Sequence, residues 1–148
     1  VNIERLKQTL IKQEGTGPII KNRLMPYRCP SGKLTIGIGR NIEDNGISKE
    51  EAEFMLENDI AEAIELCRKL FPVFDELNDV RQEVLINMMF NMGYDRFSGF
   101  KKFIAATNAK DFKRAAAEME NSTWYEQVGK KPGQRAYDLK MMMLTGYE

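Results

Sequence analysis

A chain of 148 residues, 43% hydrophobic and 30% charged, has room for one core of ordinary size or two small lobes sharing a helix, and no apolar run approaches the roughly 18 to 20 residues of a membrane span. Basic and acidic residues balance at 22 each, so no overall field selects nucleic acid as a partner; the segment 101–140, with nine basic and five acidic residues, carries only a mild local bias. Histidine is absent, which excludes histidine-based zinc sites and every Ser-His or Cys-His arrangement and leaves carboxylates, hydroxyls, thiols and arginines for any chemistry.

In chain order, Asn2 can cap a helix whose apolar residues Ile3, Leu6, Leu10 and Ile11 fall at intervals of three and four, and Gly15 can close it after Glu14. This start reads as an amphipathic helix and not as a signal peptide. Residues 16–33 hold three prolines and two glycines without helical period, and predict loop, short strand and turn. The run KLTIGIG then alternates Leu34, Ile36 and Ile38 on one face with Thr35, Gly37 and Gly39 on the other, the period of a half-buried strand.

The run SKEE, beginning at Ser48, is a capping box that opens a helix of about 24 residues, stopped by Pro72, and long enough to join two lobes. A strongly apolar helix follows from about Asp79 to Met92, closed by Gly93. Shorter ones are expected near 98–106, 111–119 and 133–144, so the second half reads as all helical. No repeat or long linker separates domains.

Three features carry chemistry. Glu14 ends its helix, where the macrodipole disfavours an anion; it reads either as an exposed glutamate or as an acid whose pKa dipole and partial burial raise. Glycines on the Thr35 face mark either a bend or the close approach of a ligand, for which Thr35 supplies the polar group. Cys29 precedes the turn PSG, which returns the chain toward Thr35, whereas Cys67 sits on an apolar helical stripe as a buried residue; no disulfide between them is expected.

Taken together, Glu14-Gly15, Tyr27-Arg28-Cys29, Gly32 and Thr35-Ile36-Gly37-Ile38-Gly39 resemble the active-site segment of the phage-type lysozymes, the endolysin muramidases of tailed phages. That family's signature is a glutamate, then aspartate or cysteine, then threonine after a gap of five residues, which Cys29 and Thr35 keep. Fourteen residues separate Glu14 from Cys29, more than is usual in the family, so TGPIIKNRLMP contains an insertion. Later runs, including PVFDELNDVRQEVLINMMFNMG, STWYEQ and GQRAYDLKMMMLTG, extend the resemblance over nearly the whole chain.

The resemblance implies an α+β, lysozyme-like, two-lobed fold: a small sheet lobe over about 14–58, a linking helix over about 48–71, and a helical lobe of 1–13 plus 72–148. It implies hydrolysis of peptidoglycan between N-acetylmuramic acid and N-acetylglucosamine. Glu14 is then the general acid, Cys29 assists water or steadies the cationic sugar, and Thr35 holds that water. Gly37, Asn87, Asn91, Gly93 and Arg135 bind glycan, and Trp124 and Tyr125 are core aromatics. Arg40 stands where relatives carry histidine, and the expectation is an Arg40–Asp59 ion pair tying the small lobe to the long helix. No metal or other cofactor is implied. The partners are peptidoglycan strands and, indirectly, a holin that releases a monomeric protein from the host cytoplasm to the wall. The rival readings are a lytic transglycosylase on the same bond and a non-catalytic peptidoglycan-binding relative.

Overall fold

Helix α1 spans Ile3–Glu14: the Asn2 side chain accepts from the Arg5 amide at 2.9 Å, and the Gly15 amide closes the last turn on the Ile11 carbonyl. The computed structural model describes residues 1–148, which divide into two units, Val1–Phe54 and Met55–Glu148. The first unit therefore takes in α1, which the sequence reading grouped with the helical lobe.

The insertion after α1 is an extra hairpin. β1 (Ile19–Ile20) pairs antiparallel with β2 (Arg23–Leu24), and the turn residues Lys21 and Asn22 both have left-handed backbone, φ 50° and 62°. That handedness matches the twist of the flanking strands. A separate antiparallel sheet has the order β3-β4-β5, from Tyr27–Arg28, Leu34–Ile36 and Arg40–Asn41. Thr35, at its centre, faces Tyr27 on one side and Asn41 on the other.

This corrects the predicted strand. β4 stops at Ile36, and Gly37 and Gly39 lie in the turn to β5 with φ 68° and 70°. The faces also exchange: Thr35 is the buried residue, at 3% exposure, while Leu34 and Ile36 are half-buried and Ile38 is exposed. Period two locates a strand but not which face turns inward when the sheet is this small.

Thr35 is the one fully buried side chain of the first unit, so polar contacts hold what an apolar core cannot. Between Gly15 and Ile42 the chain has five basic residues and no acidic one, and acids cluster immediately after. Glu43, on the short helix α2 (Ile42–Asn45), accepts from Arg28 Nη1 at 3.0 Å and from the Leu34 amide at 3.3 Å. Lys33 reaches Asp44 at 3.2 Å.

α3 (Lys49–Leu70) opens on the expected capping box. The Glu51 amide donates to Ser48 Oγ at 3.0 Å, and Glu51 Oε1 accepts from the Ser48 amide at 2.8 Å. The same carboxylate takes both guanidinium arms of Arg40, at 2.9 and 2.7 Å, and Arg40 also donates to the Gly46 carbonyl. Arg40 thus pairs with Glu51 and not with Asp59. The expected tie to α3 exists, but eight residues earlier, about 12 Å along the axis at 1.5 Å per residue. A bidentate pair that also caps a helix differs from an isolated surface pair, whose contribution is commonly near zero.

The second unit is helical and built around apolar side chains. After the C-terminal part of α3, with Ala63 and Cys67 buried, come a 3-10 turn at Phe74–Glu76 and α4 (Asp79–Met92). α5 (Tyr94–Ser98), α6 (Lys101–Asn108), α7 (Phe112–Glu120), α8 (Thr123–Val128) and α9 (Arg135–Thr145) follow. Phe71, Phe97 and Phe103 pack ring against ring with centroids 5.5–6.1 Å apart, a geometry that adds about 0.5–1.5 kcal/mol per pair beyond burial. Arg81 stacks over Phe112 at 3.6 Å and donates to the Met143 and Leu144 carbonyls, so one side chain satisfies the end of α9. No helix is long and apolar enough to cross a membrane.

Arg40 and the Ser48 amide hold the Glu51 carboxyl down at about 2, from 4.5. A depressed carboxylate stabilises the fold fully above its unfolded value, and that contribution fades as pH falls through the folded one. Glu51→Gln is therefore expected to lower Tm at pH 7, with the difference from parent shrinking between about pH 4.5 and 2, while Asp59→Asn leaves Tm at pH 7 unchanged. Thermal unfolding of the three proteins across that range checks it; a pH 7 loss in Asp59→Asn but not in Glu51→Gln would reinstate the Arg40–Asp59 pair.

Candidate active site

The β3–β4 connection is a tight turn that presents Cys29. The Cys29 carbonyl accepts from the Gly32 amide at 2.8 Å, and the Cys29 amide donates to the Lys33 carbonyl at 2.9 Å, with Pro30 supplying a pre-set φ. Cys29 is half-buried, and its Sγ lies 3.0 Å from Ser31 Oγ. Hydrogen bonding from the Ser31 side chain, followed by the Lys33 backbone, lowers the thiol to about 7 from 9.0, with Thr35 adding a smaller contribution. A sizeable thiolate fraction therefore exists at neutral pH without a cationic neighbour. Arg28, adjacent in sequence, is turned to Glu43 and the Gly32 carbonyl.

Thr35 is brought beside this turn, and its hydroxyl donates to the Lys33 carbonyl at 2.9 Å. Its lone pairs stay available as acceptors. Cys67 is the contrasting thiol: fully buried on α3, it is pushed up to about 12 by desolvation, and both cysteines are free.

Glu14, the last residue of α1, is exposed, the first of the two readings its place at the helix end allowed, and the partial burial of the second is absent. Its carboxylate lies against the β4–β5 turn: a methyl group at Gly39 would sit 2.9 Å from Glu14 Oε2 and 3.1 Å from its Cδ. Gly37, by contrast, has open space where its side chain would be. The first unit thus places a carboxyl at one end of β4 and an activated thiol at the other.

The remaining expected residues belong to the second unit. Arg135, at the start of α9, donates from Nε to Asn87 Oδ1 at 2.8 Å, and both line a groove of about 460 Å³ with an apolar floor of Leu56, Ile60, Ile86 and Phe90. Asn91 Oδ1 accepts the indole N–H of Trp124 at 2.8 Å, so this residue satisfies a buried polar group in addition to the ligand role expected of it. Trp124 and Tyr125 are buried, as the sequence implied. Gly93 caps α4, with its amide on the Met89 carbonyl.

Sequence reading missed Ser31, Glu43 and Glu51 as partners of the site. The turn PSG announced a bend but not that its serine would face the preceding thiol, and the acids that serve the sheet come from neighbouring elements.

Residues 19–136 match the Phage lysozyme family. The chain is 30% identical to a probable T4-type lysozyme 2 of Dictyostelium discoideum, over 87% of this chain and 89% of that protein, and 30% identical to a probable T4-type lysozyme 1 of the same organism, over 85% and 88%. It is also 34% identical to the pre-baseplate central spike protein Gp5 of Enterobacteria phage T4, over 76% of this chain but only 20% of that larger protein. With a match over most of its length and an α+β fold to go with it, the chain belongs to the phage lysozyme family and is a glycoside hydrolase of the lysozyme type that acts on peptidoglycan.

Proposed function

We propose that the chain cleaves the β-1,4 bond between N-acetylmuramic acid and N-acetylglucosamine, with Glu14 as general acid and Cys29, with Thr35, on the water side. The observation that carries this reading is the pair of groups flanking β4: a carboxyl packed on the Gly39 turn and a thiol lowered to about 7 on the Cys29 turn. With β4 between them, the two groups are read as the pair of an inverting hydrolysis, which keeps room for a water between acid and base, rather than of a retaining one, whose second group attacks carbon directly.

In this mechanism Glu14 gives its proton to the glycosidic oxygen as the bond to the anomeric carbon breaks. Water attacks that carbon from the opposite face, and the Cys29 thiolate takes the proton the water releases, while the Thr35 hydroxyl accepts from the same water. Asn87 and Arg135, already bonded to each other, bind glycan from the second unit. The match to the phage lysozyme family supports wall lysis as the biological outcome.

Glu14→Gln keeps shape and removes the proton, so release of reducing ends from purified peptidoglycan is expected to fall at least about 100-fold, within the range for a general acid. Activity near parent would remove Glu14 from the acid role, and anhydro-sugar ends in the parent's products would point to a transglycosylase.

The thiol makes a separate forecast. Alkylation of folded protein by iodoacetamide is expected to modify Cys29 but not Cys67, with the rate rising through a midpoint near pH 7. Ser31→Ala should move that midpoint upward toward 9.0. A parent midpoint already near 9 would show that the turn does not activate the sulfur.

A further inference from the structure

We propose that Gly39 is the positioning residue for Glu14: the absence of a side chain at 39 is what lets the carboxylate lie against the β4–β5 turn. The inference rests on the reading of Glu14 as the acid and adds what sets its place. Glycines in this strand region suggested close approach by a ligand, yet at position 39 the approaching group belongs to the chain itself. A Cβ there would meet Glu14 Oε2 at 2.9 Å, Cδ at 3.1 Å and Cγ at 3.2 Å, so the whole end of the side chain would have to move.

Backbone conformation gives glycine a second reason to be at 39, since φ is 70°. The two reasons separate by comparison with Gly46, after α2, where φ is 60° and an added Cβ meets nothing within 4 Å. Alanine at either site is strained by the positive φ, at 46 with ψ −152° in a region essentially reserved for glycine, but only alanine at 39 touches Glu14. The contact is steric and not electrostatic, so a shift of about an ångström in the acid, enough to cost up to about 100-fold in rate, is the effect to look for.

On the far side of Glu14 the chain is fixed by a second close contact. Gly17 lies on the Tyr27 ring, which any side chain at 17 would strike, so the segment leaving α1 is seated on β3. Tyr27 pairs with Thr35 in the sheet, and the turn after Ile36 carries Gly39. Glu14 is thereby located between two glycine contacts made with one three-stranded sheet.

The test compares Gly39→Ala with Gly46→Ala for kcat and KM on solubilised peptidoglycan, and for Tm in the parent and in a Glu14→Ala background. Gly39→Ala is expected to lower kcat at least about tenfold with KM within about twofold, while Gly46→Ala lowers Tm and leaves kcat within about twofold. The part of the Gly39→Ala Tm loss that comes from the collision should disappear when Glu14 is alanine, whereas the Gly46→Ala loss should be the same in both backgrounds. If Gly39→Ala alone does not fold, recovery of a cooperative transition in the double variant supports the contact, and continued absence of one overturns it. Equal kcat losses in the two alanine variants, or an undiminished Tm loss without Glu14, also overturn it. The Tm comparison reads the contact whether or not Glu14 is the acid, so an active Glu14→Gln would sink the acid role and leave this measurement interpretable.

Discussion

Glu43 bridges the two strands on either side of the Cys29 turn, taking Arg28 from β3 and the Leu34 amide from β4 on the same oxygen. In a unit whose one fully buried side chain is a threonine, that clamp does what interdigitating hydrocarbon does elsewhere. Within that turn Ser31 Oγ lies 3.0 Å from Sγ, and that contact, more than any neighbouring cation, lowers the thiol to about 7. Glu51 repeats the device lower in the sheet by joining Arg40 to the start of α3 while capping it.

The division of labour between the units follows from composition. Residues 15–42 lack acids altogether, and Arg28, Lys33 and Arg40 among them are met by Glu43, Asp44 and Glu51 from short or incipient helices. The second unit rests on Phe71, Leu85, Met88, Phe97, Met119, Trp124 and Met143, packed out of water. Within it, polar residues complete the helical scaffold: Asn91 satisfies Trp124, and Arg81 finishes α9. The first unit is thus held by charges and hydrogen bonds and the second by apolar packing, with α3 contributing residues to both.

Much of this was legible because local signals and tertiary structure agreed. Asn2 and Gly15 bounded α1 at Glu14, the Ser48–Glu51 box started α3, and Gly93 closed α4. The short helices α2, α5 and α8 escaped, since four to six residues hold too little period to register. The Arg40 partner was misplaced for a different reason: Glu51 was already accounted for as a capping residue, and nothing in spacing says that one carboxylate serves two partners. The glycines were noticed for the right property, small size, but Gly39 makes room for Glu14. The insertion became a hairpin because Lys21 and Asn22 adopt left-handed backbone, for which asparagine is well suited and lysine is not.

The central claim is that Cys29 acts on water as a thiolate, and the pH dependence of kcat/KM on purified peptidoglycan tests it most directly when parent and Cys29→Asp are compared. The account predicts that the parent profile has a limb near pH 7, and that this limb moves down by several units in Cys29→Asp, toward the carboxylate range. A limb that stays near pH 7 in both proteins would contradict it, because the group being titrated there would then not be the one at position 29.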